Sequence, residues 1–230
     1  MKNRKLIVFI ILSFTGINAV AQTGGLGMIN LKTTSIEHGS GVPFNTINRA
    51  HENVKTLGSQ YEDETFKEAY VNNGNETFKL RYNNYQDVFE YQKSNTETLA
   101  IDKSQYHTIS FKDGKSYYLK KYTINGNEKE NYLLSLGNYN SKNKIFKLSQ
   151  MEYIPYKEIT NSYEKGNDPE YKLKKAIYFV EIDGHLKSFD QAKDLLKIFP
   201  QHKDEIKRIF YNQKNITDQE VIRFQTYLNK

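Results

Sequence analysis

The sequence predicts an α+β protein that is mainly β. We expect an antiparallel meander of about seven to nine strands, forming an open barrel or a curled sheet. Two or three short helices then follow at the C-terminus. Apolar and polar residues alternate with period two from about Phe66 to Tyr156, as in half-buried strands. Turn signals recur roughly every ten to fifteen residues there, whereas apolar spacing becomes helical beyond residue 188.

The first 21 residues have the layout of a secretory signal peptide. A basic start, "MKNRK", precedes the apolar run "LIVFIILSF", and Ala19 and Ala21 occupy the small positions of an A-x-A site. Cleavage is expected before Gln22. The alternative is a membrane anchor, but the apolar run is shorter than the roughly 20 residues that span a bilayer. The sequence therefore predicts export through the Sec pathway to the periplasm or the medium.

The chain after the leader divides into three predicted segments. Residues 22–58 are rich in Gly, Ser, Thr and Asn and predict a flexible N-terminal arm. Residues 59–187 form the predicted antiparallel β domain. Residues 188–230 form a predicted helical segment that packs on the β domain. No long apolar run follows the leader, so the mature chain is expected to lack a membrane span.

Hairpins in the β domain are marked by residues that tolerate a positive φ. The stretch "LRYNNYQDVFEYQ" has two alternating runs around Asn83-Asn84, which predicts a tight two-residue turn. Three further reversals are expected at Asp113-Gly114, Asn125-Gly126 and Asp183-Gly184. These reversals make the middle of the chain a series of adjacent antiparallel strands.

Capping signals and a proline mark the helices. Ser188 and Gln191 have capping-box spacing ahead of "AKDLLKIF", and Thr217 and Glu220 repeat it before "VIRFQTYLN". Pro200 suits a first helical position. Each predicted helix is too short to be stable alone in water, so packing against the sheet must hold it.

The strand pair and the C-terminus together resemble a known sequence group. The stretch "RYNNYQDVFE" and the later "FPQHKDEI" are similar to an uncharacterised secreted protein group of Flavobacteriia and related Bacteroidetes. The similarity covers about Leu57 to Lys230, and Gln60 stands where the group has Pro. The resemblance implies a secreted protein from such a bacterium, and it implies no activity.

Composition excludes several classes of function. The chain has no cysteine, which excludes disulfides, thiolate metal sites and a lipid-anchored N-terminal cysteine. Loss of Lys2, Arg4 and Lys5 with the leader lowers the net charge from +6 to +3. The remaining lysines are interleaved with acids, which is unlike the clustered basic face of a nucleic-acid-binding protein. No nucleic acid is therefore expected as a partner.

Motifs for catalysis, cofactors and metals are absent from the sequence. The stretch "DGKS" at 113–116 resembles the end of a phosphate-binding loop, but Ile109 stands where that loop needs glycine. "HGSGV" at 38–42 places His beside Ser without the third group of a triad. No zinc spacing relates the histidines, which are His38, His51, His107, His185 and His202. We therefore predict no catalytic, cofactor or metal residues.

Tyrosine is the unusual feature, with 18 residues and no tryptophan. Tyrosine favours strands on a half-buried sheet, and its ring and hydroxyl also suit sugars or peptides. Structural filler is the favoured interpretation. Any ligand surface would centre on the first hairpin, where Arg81 and Asp87 could bond to each other. The candidate ligand-surface residues are Arg81, Tyr82, Tyr85, Asp87 and Tyr117.

The leading functional hypothesis is an exported, non-catalytic binding or envelope-associated domain. Its partner would be an envelope glycan or another exported protein. A glycan-acting hydrolase is one alternative, because paired acids can cleave glycosides where they converge. A carrier of a small apolar molecule in a barrel interior is another. The carboxylates considered for hydrolysis are Asp87, Glu90, Glu152, Glu158 and Glu181.

Overall fold

The fold is that of a computed structural model of the chain. The predicted leader, the "HGSGV" stretch, His51 and Glu158 lie outside the described residues. The structure describes residues 36–37, 43–47, 55–157, 166–211 and 215–230.

Strands and helices occur in the order that the sequence predicts, with all strands before all helices. In the described part of the chain the strands are β1 (Ile36–Glu37), β2 (Pro43–Thr46), β3 (Lys67–Val71), β4 (Thr77–Asn83), β5 (Val88–Gln92), β6 (Thr98–Ile101), β7 (Thr108–Phe111), β8 (Ser116–Ile124), β9 (Asn127–Leu136), β10 (Lys144–Leu148), β11 (Met151–Ile154), β12 (Glu170–Leu173), β13 (Ile177–Ile182) and β14 (His185–Phe189). The helices are α1 (Ala192–Ile198), α2 (Lys203–Ile209) and α3 (Asp218–Leu228), with a 3-10 turn at Pro200–His202.

Twelve strands form one sheet, in which each pair of neighbours is antiparallel. Their order is β1-β2-β6-β5-β4-β3-β7-β8-β9-β10-β13-β14, and β11 and β12 form a separate pair. The large sheet is curled into an open half-barrel, and its end strands β1 and β14 are not hydrogen-bonded to each other. The predicted fold class is confirmed. The number of strands is larger than the predicted seven to nine because several strands are too short to show a periodic pattern in the sequence.

The sheet extends beyond both predicted boundaries of the β domain. β1 and β2 lie within the stretch predicted to be an arm, and β2 pairs with β6 through Phe44 and Ile101. At the other end β14 continues to Phe189. The sheet therefore begins before residue 59, because β2 pairs with β6, and ends after residue 187, because Phe189 still pairs with Tyr178 of β13.

Three of the four predicted turns form as expected. Residues 125–126 and 183–184 are two-residue loops between adjacent strands, and residues 113–114 lie in the middle of the loop 112–115 that joins β7 to β8. Gly114, Gly126 and Gly184 have φ values of 94°, 78° and 79°. Asn125 and Asp183 also have positive φ, at 51° each. This pair of left-handed residues is the geometry of a type I′ turn, which matches the twist of the flanking strands.

The predicted turn at Asn83-Asn84 is wrong. Asn83 is the last residue of β4 and pairs with Val88, so the loop contains four residues, 84–87. The Asn83 side-chain oxygen accepts hydrogen bonds from the backbone N–H groups of Tyr85 and Gln86, at 3.1 and 3.0 Å. The left-handed position falls on Asp87, with φ of 56°. Asn83 therefore shapes the loop through its side chain and stays in the strand.

Two of the predicted helix starts are confirmed, and one is wrong. The reciprocal capping box of Thr217 and Glu220 opens α3. Pro200 opens the 3-10 turn before α2. Ser188 belongs to β14, and α1 begins at Ala192 without a side-chain cap.

One face of the large sheet carries most of the core. Across β3 to β8 the sheet curls, and this inner face packs against itself around Leu80 and Phe89, which are both fully buried. The same face continues over β9, β10, β13 and β14, where the helices cover it with Ile206 and Phe224, also fully buried. The opposite face buries a smaller cluster around Phe146. Strand alternation and helical stripes thus meet as expected.

Candidate ligand-binding cleft

Three of the five candidate ligand-surface residues line one cleft. Arg81, Tyr82 and Tyr117 are in its wall, whereas Tyr85 and Asp87 are not. The cleft has a volume of about 380 Å³ and lies between the curled sheet, the segment before β3 and the start of α3. Its lining residues are Glu62, Asp63, Thr65, Lys67, Arg81, Tyr82, Asn84, Phe111, Asp113, Lys115, Tyr117, Leu134, Lys147 and Asp218.

The floor of the cleft is aromatic. Tyr82, Phe111 and Tyr117 come from β4, β7 and β8, and alternation places their side chains on one face of the sheet. The ring centroids of Tyr82 and Tyr117 are 5.2 Å apart, and those of Phe111 and Tyr117 are 6.0 Å apart. The ring of Phe89 packs edge-on against that of Tyr117, and their centroids are 5.2 Å apart. The floor is therefore a rigid, apolar platform.

The hydroxyl of Tyr117 is the polar group that this floor presents to the cleft. It makes no hydrogen bond to any residue that the structure describes, and the Tyr117 side chain is only partly buried. Burial raises the pKa of Tyr117, and the carboxylates of Glu62, Asp113 and Asp63 raise it further. The group is thus a neutral phenol that can donate or accept one hydrogen bond to a molecule in the cleft.

One rim of the cleft is an ion-pair network centred on Lys67. Its ammonium group lies 2.7 Å from Asp63 and 3.2 Å from Asp113. A hydrogen bond from Lys67 lowers the pKa of Asp63 to about 2. The pKa of Asp113 is also lowered, by its hydrogen bonds to the backbone of Lys115 and to Lys67, which outweigh its burial. Both carboxylates are therefore charged, and solvent exposure makes these pairs weak contributors to stability.

The other rim joins the sheet to the helices. Lys147 on β10 lies 2.9 Å from Asp218 at the start of α3, and only 15% of the Lys147 side chain is exposed. The Tyr178 hydroxyl donates to the second oxygen of Asp218, at 2.8 Å. Ile145 and Lys147 share a strand face, so the lysine interrupts an otherwise apolar face. That interruption is the signal that could have revealed this rim from the sequence.

Arg81 binds Glu90 and does not bind Asp87. Its Nε and Nη2 atoms donate to one oxygen of Glu90, at 2.9 and 2.6 Å. The guanidinium also stacks over the rings of Tyr61 and Phe66, at 4.0 and 4.4 Å. Arg81 is thereby fixed at the edge of the cleft.

Asp87 is buried in a separate network under the floor. Its carboxylate accepts hydrogen bonds from the Tyr82 hydroxyl, from the Asn131 amide at 2.7 Å and from the Tyr132 backbone at 3.1 Å, and it pairs with Lys103. Burial raises the pKa of Asp87, although Lys103 and the hydrogen bonds oppose this. The network uses the Tyr82 hydroxyl, so Tyr82 offers the cleft its ring alone.

The remaining candidates lie elsewhere. Tyr85 packs on Tyr171 with ring centroids 5.1 Å apart, outside the cleft. Glu152 is exposed on β11, and Glu181 pairs with Lys120 at 3.4 Å. Within the described residues, no group of three His, Asp or Glu side chains could hold a metal ion. The carboxylates that do reach the cleft are different ones from those that the sequence suggested.

Comparisons with protein-family models, curated proteins and solved structures find no match to the chain. Among the helices of the described segments, none combines the length and the apolar character needed to cross a membrane.

Proposed function

We propose that the protein is an exported, non-catalytic binding protein whose cleft holds a small molecule. The observation that carries this proposal is the Tyr117 hydroxyl, which lies on an aromatic floor between two charged rims and makes no hydrogen bond to the described part of the chain. Binding sites of this kind combine an apolar surface with a few placed polar groups. The floor supplies contact area, and Tyr117 supplies one specific hydrogen bond.

The charges of the lining favour a ligand that carries both signs or none. Four carboxylates and four cationic side chains line the cleft, so the two signs balance. Lys67 and Lys147 already pair with acids across the rims. A singly charged ligand would have to disrupt these pairs, whereas a zwitterion or a sugar would hydrogen-bond to them. We therefore place the ligand among amino acids, short peptides and small saccharides.

Replacement of Tyr117 by phenylalanine tests the proposal. A panel of amino acids, dipeptides and oligosaccharides would be screened against the mature protein by ligand-observed NMR, and hits would be titrated by calorimetry. We expect at least one hit, and Tyr117→Phe should weaken it about 5–10-fold, because one hydrogen bond contributes about 1 kcal/mol. The fold should be unchanged because the aromatic ring remains.

Tyr85→Phe is the matched control, since it removes a tyrosine hydroxyl outside the cleft. It should leave binding unchanged. Equal effects of the two variants, or no hit in the panel, would contradict the proposal.

A glycan hydrolase is the second candidate, because four carboxylates line the cleft. Turnover of a polysaccharide or peptidoglycan that is lost in Glu62→Gln would favour the hydrolase instead.

Export is the second part of the proposal. It is supported by the basic, apolar and A-x-A segments of residues 1–21 and by the resemblance to secreted Bacteroidetes proteins. N-terminal sequencing of protein recovered from its own host should begin at Gln22. Recovery of intact Met1 from the cytoplasmic fraction would refute export without bearing on the cleft.

A further inference from the structure

A second concave surface lies on the helices, away from the cleft. α2 and α3 turn Ile206 and Phe224 toward the sheet and leave a groove of about 580 Å³ between their outward sides. Residues of both helices at helical spacing line it. Its lining residues are Glu205, Arg208, Ile209, Ile222, Arg223, Thr226, Tyr227 and Lys230.

The floor of this groove is apolar. Ile209 contributes from α2, and Ile222 and Tyr227 contribute from α3. Ile222 is 36% exposed, so part of its side chain is open to a molecule in the groove. The Tyr227 hydroxyl is bonded to Nδ1 of His202, at 3.0 Å, which fixes the ring. The floor therefore offers a preformed apolar surface made by Ile209, Ile222 and Tyr227.

The rim of the groove is positively charged. Arg208 already pairs with Glu205 on the same helix. Lys230 also lies near Glu205 and helps to lower the pKa of that carboxyl, after Arg208, whereas Arg223 makes no ion pair with any residue that the structure describes. Three cationic side chains thus face one carboxylate along the groove. This excess of positive side-chain charge beside apolar side chains favours a partner that is apolar along one line and acidic beside it.

We propose that the groove between α2 and α3 binds an acidic amphipathic helix of another protein. A helix laid in a groove presents apolar side chains at positions i, i+3, i+4 and i+7. Those side chains would cover Ile209, Ile222 and Tyr227. Carboxylates on the flanks of the same helix would reach Arg223 and Lys230. The groove is separate from the cleft, so this proposal does not depend on the ligand of the cleft.

A pair of synthetic helical peptides tests this proposal on the full mature protein. Both peptides carry leucine at i, i+3, i+4 and i+7, and the flanking positions are glutamate in one and lysine in the other. Fluorescence anisotropy should show the acidic peptide binding at least about 10-fold more tightly at low salt. Arg223→Glu should lower the affinity for the acidic peptide by about 10-fold or more. Added salt should also lower this affinity, because it screens the charges.

Lys193→Glu on the exposed side of α1 is the matched charge reversal outside the groove, and it should leave the affinity for both peptides unchanged. Circular dichroism should show both variants folded, because both side chains are exposed. Equal binding of the two peptides, failure of both, or no effect of Arg223→Glu would overturn the proposal. Binding to phosphatidylglycerol vesicles that is lost in Arg223→Glu, without peptide binding, would assign the groove to a lipid surface instead.

Discussion

Replacing Glu90 by alanine should lower the free energy of unfolding by about 3–5 kcal/mol, because it leaves a partly buried guanidinium without its counter-ion. Glu90 is fully buried, and 14% of the Arg81 side chain is exposed. Glu90 also accepts hydrogen bonds from the Tyr61 hydroxyl at 2.8 Å and from the Asn83 amide at 3.0 Å. Denaturant unfolding followed by circular dichroism measures the loss.

Two variants separate this buried pair from surface electrostatics. Glu97→Ala breaks a partly exposed ion pair with Lys93 and should lower the free energy of unfolding by less than about 1 kcal/mol. The double variant Arg81→Met with Glu90→Leu should recover much of the loss, because well-packed apolar residues can replace a buried pair at little cost. If Glu90→Ala and Glu97→Ala destabilise the protein equally, Glu90 has no special role.

The faces of the strands were predictable from the sequence, but the partners of the polar side chains were not. Alternation identifies Leu80 and Tyr82 as core residues because side-chain direction is a local property of a strand. Whether Arg81 meets Glu90 or Asp87 depends on the register, and the register depends on the loop length. A tight turn at Asn83-Asn84 would have given another register. The four-residue loop pairs Arg81 with Glu90 across the hairpin.

Contacts between distant segments could not be predicted from the sequence for a related reason. Lys147 and Asp218 are 71 residues apart and meet because α3 folds back over the sheet. β2 likewise pairs with β6, across the intervening strands β3 to β5. No local pattern encodes such a pairing, since many strands could supply the same hydrogen bonds. Tyr82 and Tyr117 were nevertheless among the candidates for the cleft because strand alternation places both rings on the face that forms its floor, and Arg81 reaches its edge from the same hairpin.

Replacing Phe224 by alanine should lower the free energy of unfolding by about 3–5 kcal/mol, the cost of a large cavity in a core. Phe224 is fully buried in α3, and its ring lies 5.7 Å from that of Phe199 and 5.6 Å from that of Phe210. It therefore joins the three helical segments to one another. Thermal unfolding should remain a single transition at a lower temperature, because the helices and sheet share this core.

The helices could instead be a dispensable cover over an independently stable sheet, and Phe224→Ala also distinguishes this case. Hydrogen exchange would then speed up in α1, α2 and α3 alone, while Ile145 and Val180 on the covered strands kept their protection. We expect those strands to lose protection together with the helices, because both side chains are fully buried in the same cluster. Phe224→Leu, which leaves a smaller cavity, should cost less than Phe224→Ala. Because the helices and these strands bury their side chains in one shared cluster, the sheet is expected to lose stability together with its helices.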